Sequence, residues 1–178
     1  MLLRRIASER LGSPTYLQVP RPIRVKRDKF LKHPAEFSRN LQLAGLKCDE
    51  QTLVLILLDA DDDCPAELGR KLVHDAGLIL PHRKVAVVVA NREFEAWFIA
   101  AAASLNGKRG LVVDGRDTLI DPERPRDAKG WLNQRMADGY GEVRDQSAFA
   151  AIMDLGLAFQ SSRSFRKLCA ELERGLVD

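Results

Sequence analysis

Two continuous apolar runs in the middle of the chain predict the strands of a parallel β-sheet. One run, LVLILL, spans residues 53–58, and the other, KVAVVVAN, spans residues 84–91. Strands buried on both faces have uninterrupted apolar sequences of this kind, which are typical of parallel sheets covered by helices. Helical patterns follow the two runs over about 65–77 and 92–105, so this part of the chain predicts a β-α-β-α unit.

The segments on either side of this unit are predicted to be mainly helical. Their apolar spacing indicates further helices over residues 2–11, 34–46, 127–138, 147–160 and 164–174. Residues 15–19 and 22–26 are β-rich but separated by Pro-Arg-Pro, which predicts one broken strand or a strand plus an edge segment. Residues 110–115 are predicted as a weaker strand or a loop, and residues 116–127 as a loop.

The predicted fold is a single α/β domain over residues 1–178, with a mostly parallel sheet, flanking helices and a helical C-terminal region. Residues 1–115 contain the strand-and-helix core, and residues 116–178 form a helical C-terminal extension. The chain has 178 residues, of which 46% are hydrophobic and 30% charged, and this excludes a mainly disordered or collagen-like protein. No apolar run reaches the roughly 18 residues that a membrane span needs.

The cysteines and the N-terminal sequence both predict a cytoplasmic protein. Cys48, Cys64 and Cys169 lack the spacing of a metal site and are typical of reduced thiols in a cytosolic protein. The sequence MLLRRIASERLG has charged residues where a secretory signal needs its apolar segment. We therefore expect no secretion and no membrane partner.

The basic residues are concentrated at the start of the chain. Residues 1–40 contain ten Lys or Arg and three acidic residues, whereas the whole chain has a net charge of +3. Such a distribution indicates a polyanionic partner, most commonly nucleic acid, or else a solvated surface whose charges pair with the acidic remainder. The residues predicted to bind nucleic acid are Arg21, Arg24, Lys26, Arg27 and Arg92.

Four aspartates, Asp59, Asp61, Asp62 and Asp63, follow the first apolar run in the sequence LLDADDDCP. Ligands bind at the carboxyl ends of strands in open α/β sheets. Alternation along an extended chain places Asp59, Asp61 and Asp63 on one side. Carboxylates crowded in this way favour a bound cation, and Mg²⁺ prefers oxygen ligands. The sequence therefore predicts a site for Mg²⁺ or Mn²⁺ at these three residues. The alternative for Asp62 and Asp63 is capping of the helix that Pro65 begins.

A second polar sequence, NREFEAWF, follows the other apolar run. If the two strands are neighbours, Glu93 or Glu95 lies beside the aspartates, where a third carboxylate completes a metal site. Arg92 then either neutralises the carboxylates or meets a phosphate. The alternative is that Glu93 caps the next helix. Tyr140, Asp145 and Gln146 fall in a predicted turn, and the sequence indicates no role for them.

These segments together resemble the bacterial domain of unknown function 4276 family. The linked sequences LLDADDDCP and VVVANREFEAWFIA carry the resemblance, and KGWL (129–132), YGEVRDQSAF (140–149) and SRSFRKL (162–168) extend it over nearly the whole chain. The family is similar to Toprim-like domains, the α/β metal-binding modules of topoisomerases, primases and OLD-type nucleases. In Toprim domains an Asp-x-Asp after one strand and a Glu after an earlier strand bind Mg²⁺, which implies this role for Asp59 and Asp61.

This sequence departs from the family at its start. Family members usually begin with a strand that ends in a Glu-Gly turn, whereas Met1 stands directly at the first helix. The resemblance therefore implies that the biological start lies upstream or that the chain is truncated. A missing inner strand leaves unpaired backbone groups, so another segment, a partner chain or a collapsed sheet is expected to fill the opening.

The resulting functional expectation is a Toprim-like, Mg²⁺-dependent nuclease directed at phage or foreign DNA, with a basic surface that grips the nucleic-acid backbone. Its predicted catalytic residues are Asp59, Asp61, Glu93 and Glu95. For the N-terminally short form the expectation includes a loss of catalysis, even if the full protein is an enzyme. The alternatives are a non-catalytic module that binds nucleic acid or protein through a structural acidic cluster, and a small-molecule phosphatase or nucleotide-binding enzyme with a closed pocket. A partner protein or a homodimer stays open.

Overall fold

The two predicted strands pair in parallel at the centre of the structure. The computed structural model describes residues 1–12, 17–47, 49 and 52–177. Strand β1 covers Val54–Asp59 and strand β2 covers Val85–Ala90, in a register that pairs Val54 with Val85 and Asp59 with Ala90. These two strands make up the sheet of the described residues. The predicted α/β class with a parallel sheet and flanking helices is confirmed.

Helices account for most of the remaining described residues. The α-helices are α1 Leu2–Arg5, α2 Arg27–Lys32, α3 Pro34–Gly45, α4 Pro65–Ile79, α5 Ala96–Ala100, α6 Ala102–Leu105, α7 Ala128–Asn133, α8 Ser147–Ile152, α9 Leu155–Ser161 and α10 Arg163–Val177. Two π-helical turns cover Ile6–Arg10 and Glu142–Gln146, and a 3₁₀ turn covers Asp117–Leu119. In this part of the chain no helix combines the length and the apolar character that crossing a membrane requires.

Helices cover both faces of the sheet, because successive side chains of each strand point to opposite faces. On one face Val54, Ile56 and Leu58 pack against helices α2, α3 and α4. On the other face Val88 and Ala90 pack against the C-terminal helices. The largest buried side chains of that second core are Trp97, Phe98, Phe149 and Phe165. Helix α10 contacts β2, so the predicted helical C-terminal region supplies a layer of this fold.

The β-rich segment near the N-terminus does not form the predicted strand. Residues 17–26 run without regular structure, and residues 13–16 lie outside the described residues. Pro20 and Pro22 have no N–H to donate to a neighbouring strand. The Arg4 guanidinium instead donates to a backbone carbonyl of this segment at 3.1 Å. The strand prediction is therefore wrong over residues 17–26.

Two long predicted helices are interrupted. The helix predicted over 92–105 begins only at Ala96, because the preceding residues form the turn after β2, and it divides at Ala101 into α5 and α6. The helix predicted over 147–160 breaks before Asp154, whose side chain accepts hydrogen bonds from the first N–H groups of α9. An aspartate in this position begins a new helix more readily than it continues one.

One helix was not predicted, and another is shorter than predicted. Helix α2 lies in a segment for which the sequence predicts no helix. Helix α7 ends at Asn133, short of the predicted end at residue 138, because the chain turns there and Leu111 bridges to Met136 in antiparallel fashion. Residues 110–115, predicted as a weak strand or a loop, contribute that single bridge.

Candidate functional site

The loops that follow β1 and β2 meet at the carboxyl end of the sheet. The N–H of Asp61 donates a hydrogen bond to the carbonyl of Arg92 at 2.9 Å, which joins the two loops. Both residues have left-handed backbone conformations, with φ of 50° and 63°. Non-glycine residues adopt this conformation at a cost on the order of 1–3 kcal/mol, and such residues cluster at functional sites. The two acidic sequences therefore lie side by side.

Asp59, the last residue of β1, points its carboxylate toward the loop after β2. Its Oδ1 accepts a hydrogen bond from the backbone N–H of Phe94 at 2.7 Å, and 30% of its side chain is exposed. Burial raises the pKa of this carboxyl, while the Phe94 hydrogen bond and the Lys129 ammonium oppose that effect. The neighbouring Asp61 and Glu93 carboxylates raise the pKa further. These surroundings favour the neutral form of Asp59 more than water does.

Glu95 is fully buried, and its two carboxylate oxygens have different surroundings. Oε1 accepts hydrogen bonds from the Tyr140 hydroxyl at 2.9 Å and from the Gln146 amide at 3.2 Å. Oε2 is buried and has no hydrogen-bond partner among the described residues. Burial raises the pKa of Glu95, and burial together with the Glu95 carboxylate raises the pKa of Tyr140. Buried polar atoms are nearly always paired, so this oxygen lacks a donor that a folded protein normally supplies.

The Lys129 ammonium lies among four carboxylates, which we call the carboxylate cluster: Asp59, Glu93, Glu95 and Glu142. Its nitrogen is 3.9, 3.5, 3.6 and 3.9 Å from their respective nearest oxygens. Although burial disfavours the ammonium, the carboxylates raise the pKa of Lys129. Among the described residues, Lys129 is the basic side chain that forms ion pairs with these groups, so one positive charge faces four acids.

Glu93 connects the cluster to helix α7. Its Oε2 accepts a hydrogen bond at 3.0 Å from the backbone N–H of Lys129, in the first turn of α7. The alternative that Glu93 caps the helix following its own loop is wrong, since the N-cap residue of α5 is Glu95. Glu93 instead holds the distant helix that carries Lys129.

Asp61 and Asp63 face a different partner, the guanidinium of Arg27. Arg27 Nε lies 3.3 Å from Asp61 Oδ2, and its Nη2 pairs with Asp63. The same guanidinium donates to the backbone carbonyls of Asp59 and Ala60, each at 2.8 Å. The structure therefore places Asp59, Asp61 and Asp63 near one strand end but directs the last two carboxylates to an arginine.

Asp62 is likewise paired with arginines. Its Oδ1 accepts a hydrogen bond from Arg92 at 3.0 Å and a further one from Arg126. The N-cap residue of α4 is Cys64, so the alternative of Asp62 or Asp63 as the N-cap is wrong. Arg92 neutralises an aspartate, as one of its two predicted roles requires.

The five residues predicted to bind nucleic acid fall into two groups. Arg21, Arg24 and Lys26 are exposed on the irregular segment before α2. Arg27 and Arg92 form ion pairs with the aspartates of the loop after β1. The first group is therefore open to a polyanion, while the second contributes to the local structure of the strand ends.

The oxygen ligands of the carboxylate cluster suit a hard divalent cation, but these oxygens now surround the Lys129 nitrogen at 3.5–3.9 Å. Carboxylate oxygens suit Mg²⁺ and Mn²⁺, and Glu95 Oε2 is a buried oxygen without a hydrogen bond among the described residues. Across the described ranges no group of three or more His, Cys, Asp or Glu side chains stands ready to hold a metal. The oxygens around Lys129 would have to move in to about 2.1 Å from a bound Mg²⁺. The residues that would hold the ion are Asp59, Glu93 and Glu95.

The family model for a domain of unknown function, DUF4276, matches residues 2–173. The chain belongs to the DUF4276 family. No curated protein and no solved structure matches the chain. The match covers both strands, both polar loops and the helices that complete the site, so the family resemblance of the sequence is confirmed.

The DUF4276 chain has site residues that sequence reasoning missed. Lys129, Tyr140, Glu142 and Gln146 all contact the site but lie far from the strands in the sequence. The available signal was the family resemblance, since Lys129 belongs to KGWL and the other three belong to YGEVRDQSAF. The spacing of acidic residues after two strands contains no information about a lysine on a later helix.

Proposed function

We propose that this DUF4276 chain is a Toprim-like phosphodiesterase that acts on nucleic acid and uses Mg²⁺ or Mn²⁺. One observation supports the proposal above the others. Three carboxylates from the ends of two adjacent strands, Asp59, Glu93 and Glu95, converge on one point, and a buried oxygen of Glu95 near that point has no hydrogen bond within the described residues. Crowded carboxylates favour a cation, and the raised pKa values of Asp59 and Glu95 are typical of catalytic sites.

The protein's own residues would hold this site in a fixed geometry. The Phe94 N–H orients the carboxylate of Asp59, and Tyr140 and Gln146 orient that of Glu95. A divalent cation bound there would lower the pKa of a bound water molecule and would stabilise negative charge on phosphoryl oxygens. Asp59 and Glu95 thus each have one oxygen held by the protein and a second oxygen that is available to the ion.

The basic segment before α2 supports a nucleic-acid substrate. Arg21, Arg24 and Lys26 precede Arg27, which anchors the end of their segment to the carbonyl of Asp59 at 2.8 Å. The Arg27 end of this run of cationic side chains lies beside the strand end, and the carbonyl of Arg21 accepts a hydrogen bond from Lys47 at 3.2 Å. Each neutralised phosphate adds about one to the slope of log affinity against log salt, so replacing Arg21, Arg24 and Lys26 with Ala should reduce that slope by about 2–3. Fluorescence anisotropy with labelled single- and double-stranded DNA measures this slope.

The metal site is tested by isothermal titration with Mn²⁺. We expect Asp59→Asn and Glu95→Gln each to weaken binding about a hundredfold or more, because each removes a charged oxygen ligand. Asp62→Asn is the matched control, since Asp62 pairs with arginines and should leave affinity unchanged within about twofold. Equally weakened binding in Asp62→Asn would mean that only general negative charge matters. Nuclease assays on the same variants then test the reaction.

A non-catalytic binding module is the second candidate. The observation that favours it is the pairing of Asp61, Asp62 and Asp63 with arginines, which gives these acids a structural role. This candidate predicts nucleic-acid binding that survives Asp59→Asn and needs no divalent ion. The titration and the anisotropy measurement together distinguish the two.

A further inference from the structure

We infer that Lys129 and a divalent cation occupy the carboxylate cluster alternately, so that Lys129 is a built-in counter-ion that the metal must displace. The inference rests on the proposed function, because it needs a cation that binds at Asp59, Glu93 and Glu95. It adds a regulatory contact within the chain, since the position of one lysine side chain then sets the metal affinity of the site.

The Lys129 ammonium lies at the centre of the carboxylate cluster. Its nitrogen lies 3.5–3.9 Å from oxygens of all four carboxylates of the cluster. Charge-assisted hydrogen bonds between an ammonium and a carboxylate are shorter, at about 2.7–2.9 Å. Lys129 therefore stands between the carboxylates without closing on any of them, in the central position that an ion with several oxygen ligands takes.

The second support is the buried oxygen of Glu95. Oε2 lies 3.6 Å from the Lys129 nitrogen and has no hydrogen bond among the described residues. The other oxygen of the same carboxylate is held by Tyr140 and Gln146, so Glu95 keeps its orientation. An oriented, fully buried carboxylate with one unpaired oxygen is poorly satisfied by Lys129 and is well placed for a closer cation.

The third support is that the side chain of Lys129 can withdraw while its backbone stays. The backbone N–H is held by Glu93 at 3.0 Å, and Asp127 caps the same helix by accepting a hydrogen bond from Gly130. The side chain is 35% exposed and reaches the cluster on a flexible four-carbon stem. Two cations at one point repel each other strongly in a partly buried site, so the ammonium must withdraw when a metal enters.

The experiment is an Mn²⁺ titration of Lys129→Met beside the wild type. Lys71→Met is the matched control, because Lys71 has the same charge and pairs with Asp75 on the surface of α4. We expect Lys129→Met to bind Mn²⁺ at least about tenfold more tightly than the wild type, while Lys71→Met matches the wild type. Thermal unfolding confirms that each variant is folded, and Lys129→Gln serves as a second neutral replacement.

The outcomes separate this inference from the proposed function. Binding by the wild type with equal or weaker binding by Lys129→Met overturns the inference and leaves the metal site in place. Tighter binding by Lys129→Met, or binding by that variant alone, supports both. Absence of Mn²⁺ binding in the wild type, Lys129→Met and Lys129→Gln overturns both.

A measurement on the unmodified protein gives an independent answer. Acylation of lysine amines, followed by peptide mass spectrometry, reports how accessible each ammonium is with and without Mn²⁺. Displacement predicts a severalfold faster modification of Lys129 at saturating Mn²⁺, with Lys71 unchanged. An unchanged or slower rate at Lys129 under saturating Mn²⁺ overturns the inference.

Discussion

Two buried acids near the site, Glu95 and Asp145, have opposite surroundings. Both are almost completely inaccessible, with 0% and 1% of the residue exposed. Asp145 accepts hydrogen bonds from Arg109 at 2.8 Å, from the Gly141 N–H at 2.9 Å and from Arg144. Burial alone raises the pKa of Asp145, but these donors hold it at about 2. Burial raises the pKa of Glu95, one of whose oxygens has no hydrogen bond within the described residues.

The comparison shows which donors hold the buried carboxylate of Asp145 in place and which of them the carboxylate of Glu95 lacks. Asp145 has two guanidinium groups and a backbone N–H, and it holds the turn that carries Glu142 and Gln146 to the site. Glu95 has two neutral donors, Tyr140 and Gln146, on one oxygen, and on the other only a lysine at 3.6 Å with no hydrogen bond among the described residues. A buried carboxylate with an unpaired oxygen costs stability.

The largest effect is expected at Asp145. Asp145→Ala leaves two guanidinium groups without their shared partner, so we expect a loss of about 3 kcal/mol in the free energy of unfolding. Urea denaturation measures it. Asp75→Ala, which removes an exposed ion pair on α4, should cost less than about 0.5 kcal/mol. If Asp145→Ala lowers the free energy of unfolding no more than Asp75→Ala does, Asp145 is not the stabilising buried acid described above.

Arg27 comes next, because it satisfies the aspartates that the site does not use. Arg27→Met removes donors from two backbone carbonyls and from Asp61 and Asp63, so a loss of about 2 kcal/mol in the free energy of unfolding is expected. Urea denaturation again measures it. Arg39→Met is the control, since Arg39 forms an exposed pair on α3.

The same aspartates sharpen the assignment of metal ligands. The sequence predicts Asp59, Asp61 and Asp63 as ligands, whereas the proposed metal site consists of Asp59, Glu93 and Glu95. Asp61→Asn combined with Asp63→Asn should weaken Mn²⁺ binding less than about threefold if the cluster is the site. A loss of affinity as large as that of Asp59→Asn would instead support the ligand set predicted from the sequence.

The smallest change in stability, and the most specific, is expected for Glu95→Gln. The amide keeps an acceptor for Tyr140 and removes a buried charge, so the free energy of unfolding at pH 7 should rise by about 1 kcal/mol. The pKa of Glu95 in the folded protein is raised above its ordinary value of 4.5. Ionisation of Glu95 therefore lowers the free energy of unfolding only at pH values above about 4.5. The advantage of the variant should therefore shrink as pH falls and vanish below about 4.5. Urea denaturation at several pH values measures it.

Asp145 supplies the opposite pH dependence. Its folded pKa of about 2 lies below the ordinary value of 3.8, so its stabilisation is complete above 3.8 and is lost as pH falls toward 2. Asp145→Asn should remove that part of the acid sensitivity, and Glu95→Gln should not. Urea denaturation between pH 2 and pH 7 compares the two slopes; parallel slopes would contradict the assignment.

The strands could be predicted to within about a residue. Predicted runs at 53–58 and 84–91 compare with Val54–Asp59 and Val85–Ala90, because burial on both faces requires an apolar side chain at nearly every position. The prediction for residues 17–26 failed for the opposite reason. Their β-branched side chains satisfy a local preference, but two prolines remove the N–H groups that pairing needs.

Local sequence by itself determined where acidic residues follow the strands, and hence that Asp59, Glu93 and Glu95 lie at one edge of the sheet. Only the tertiary structure decided which acids are neutralised. Arg27 comes from a helix before β1, and Lys129 from a helix after a long loop, and the packing of those helices around the strand ends assigns them their carboxylates. Ion pairs form between charges that are close in space, and the number of residues between two charges along the chain does not give that distance.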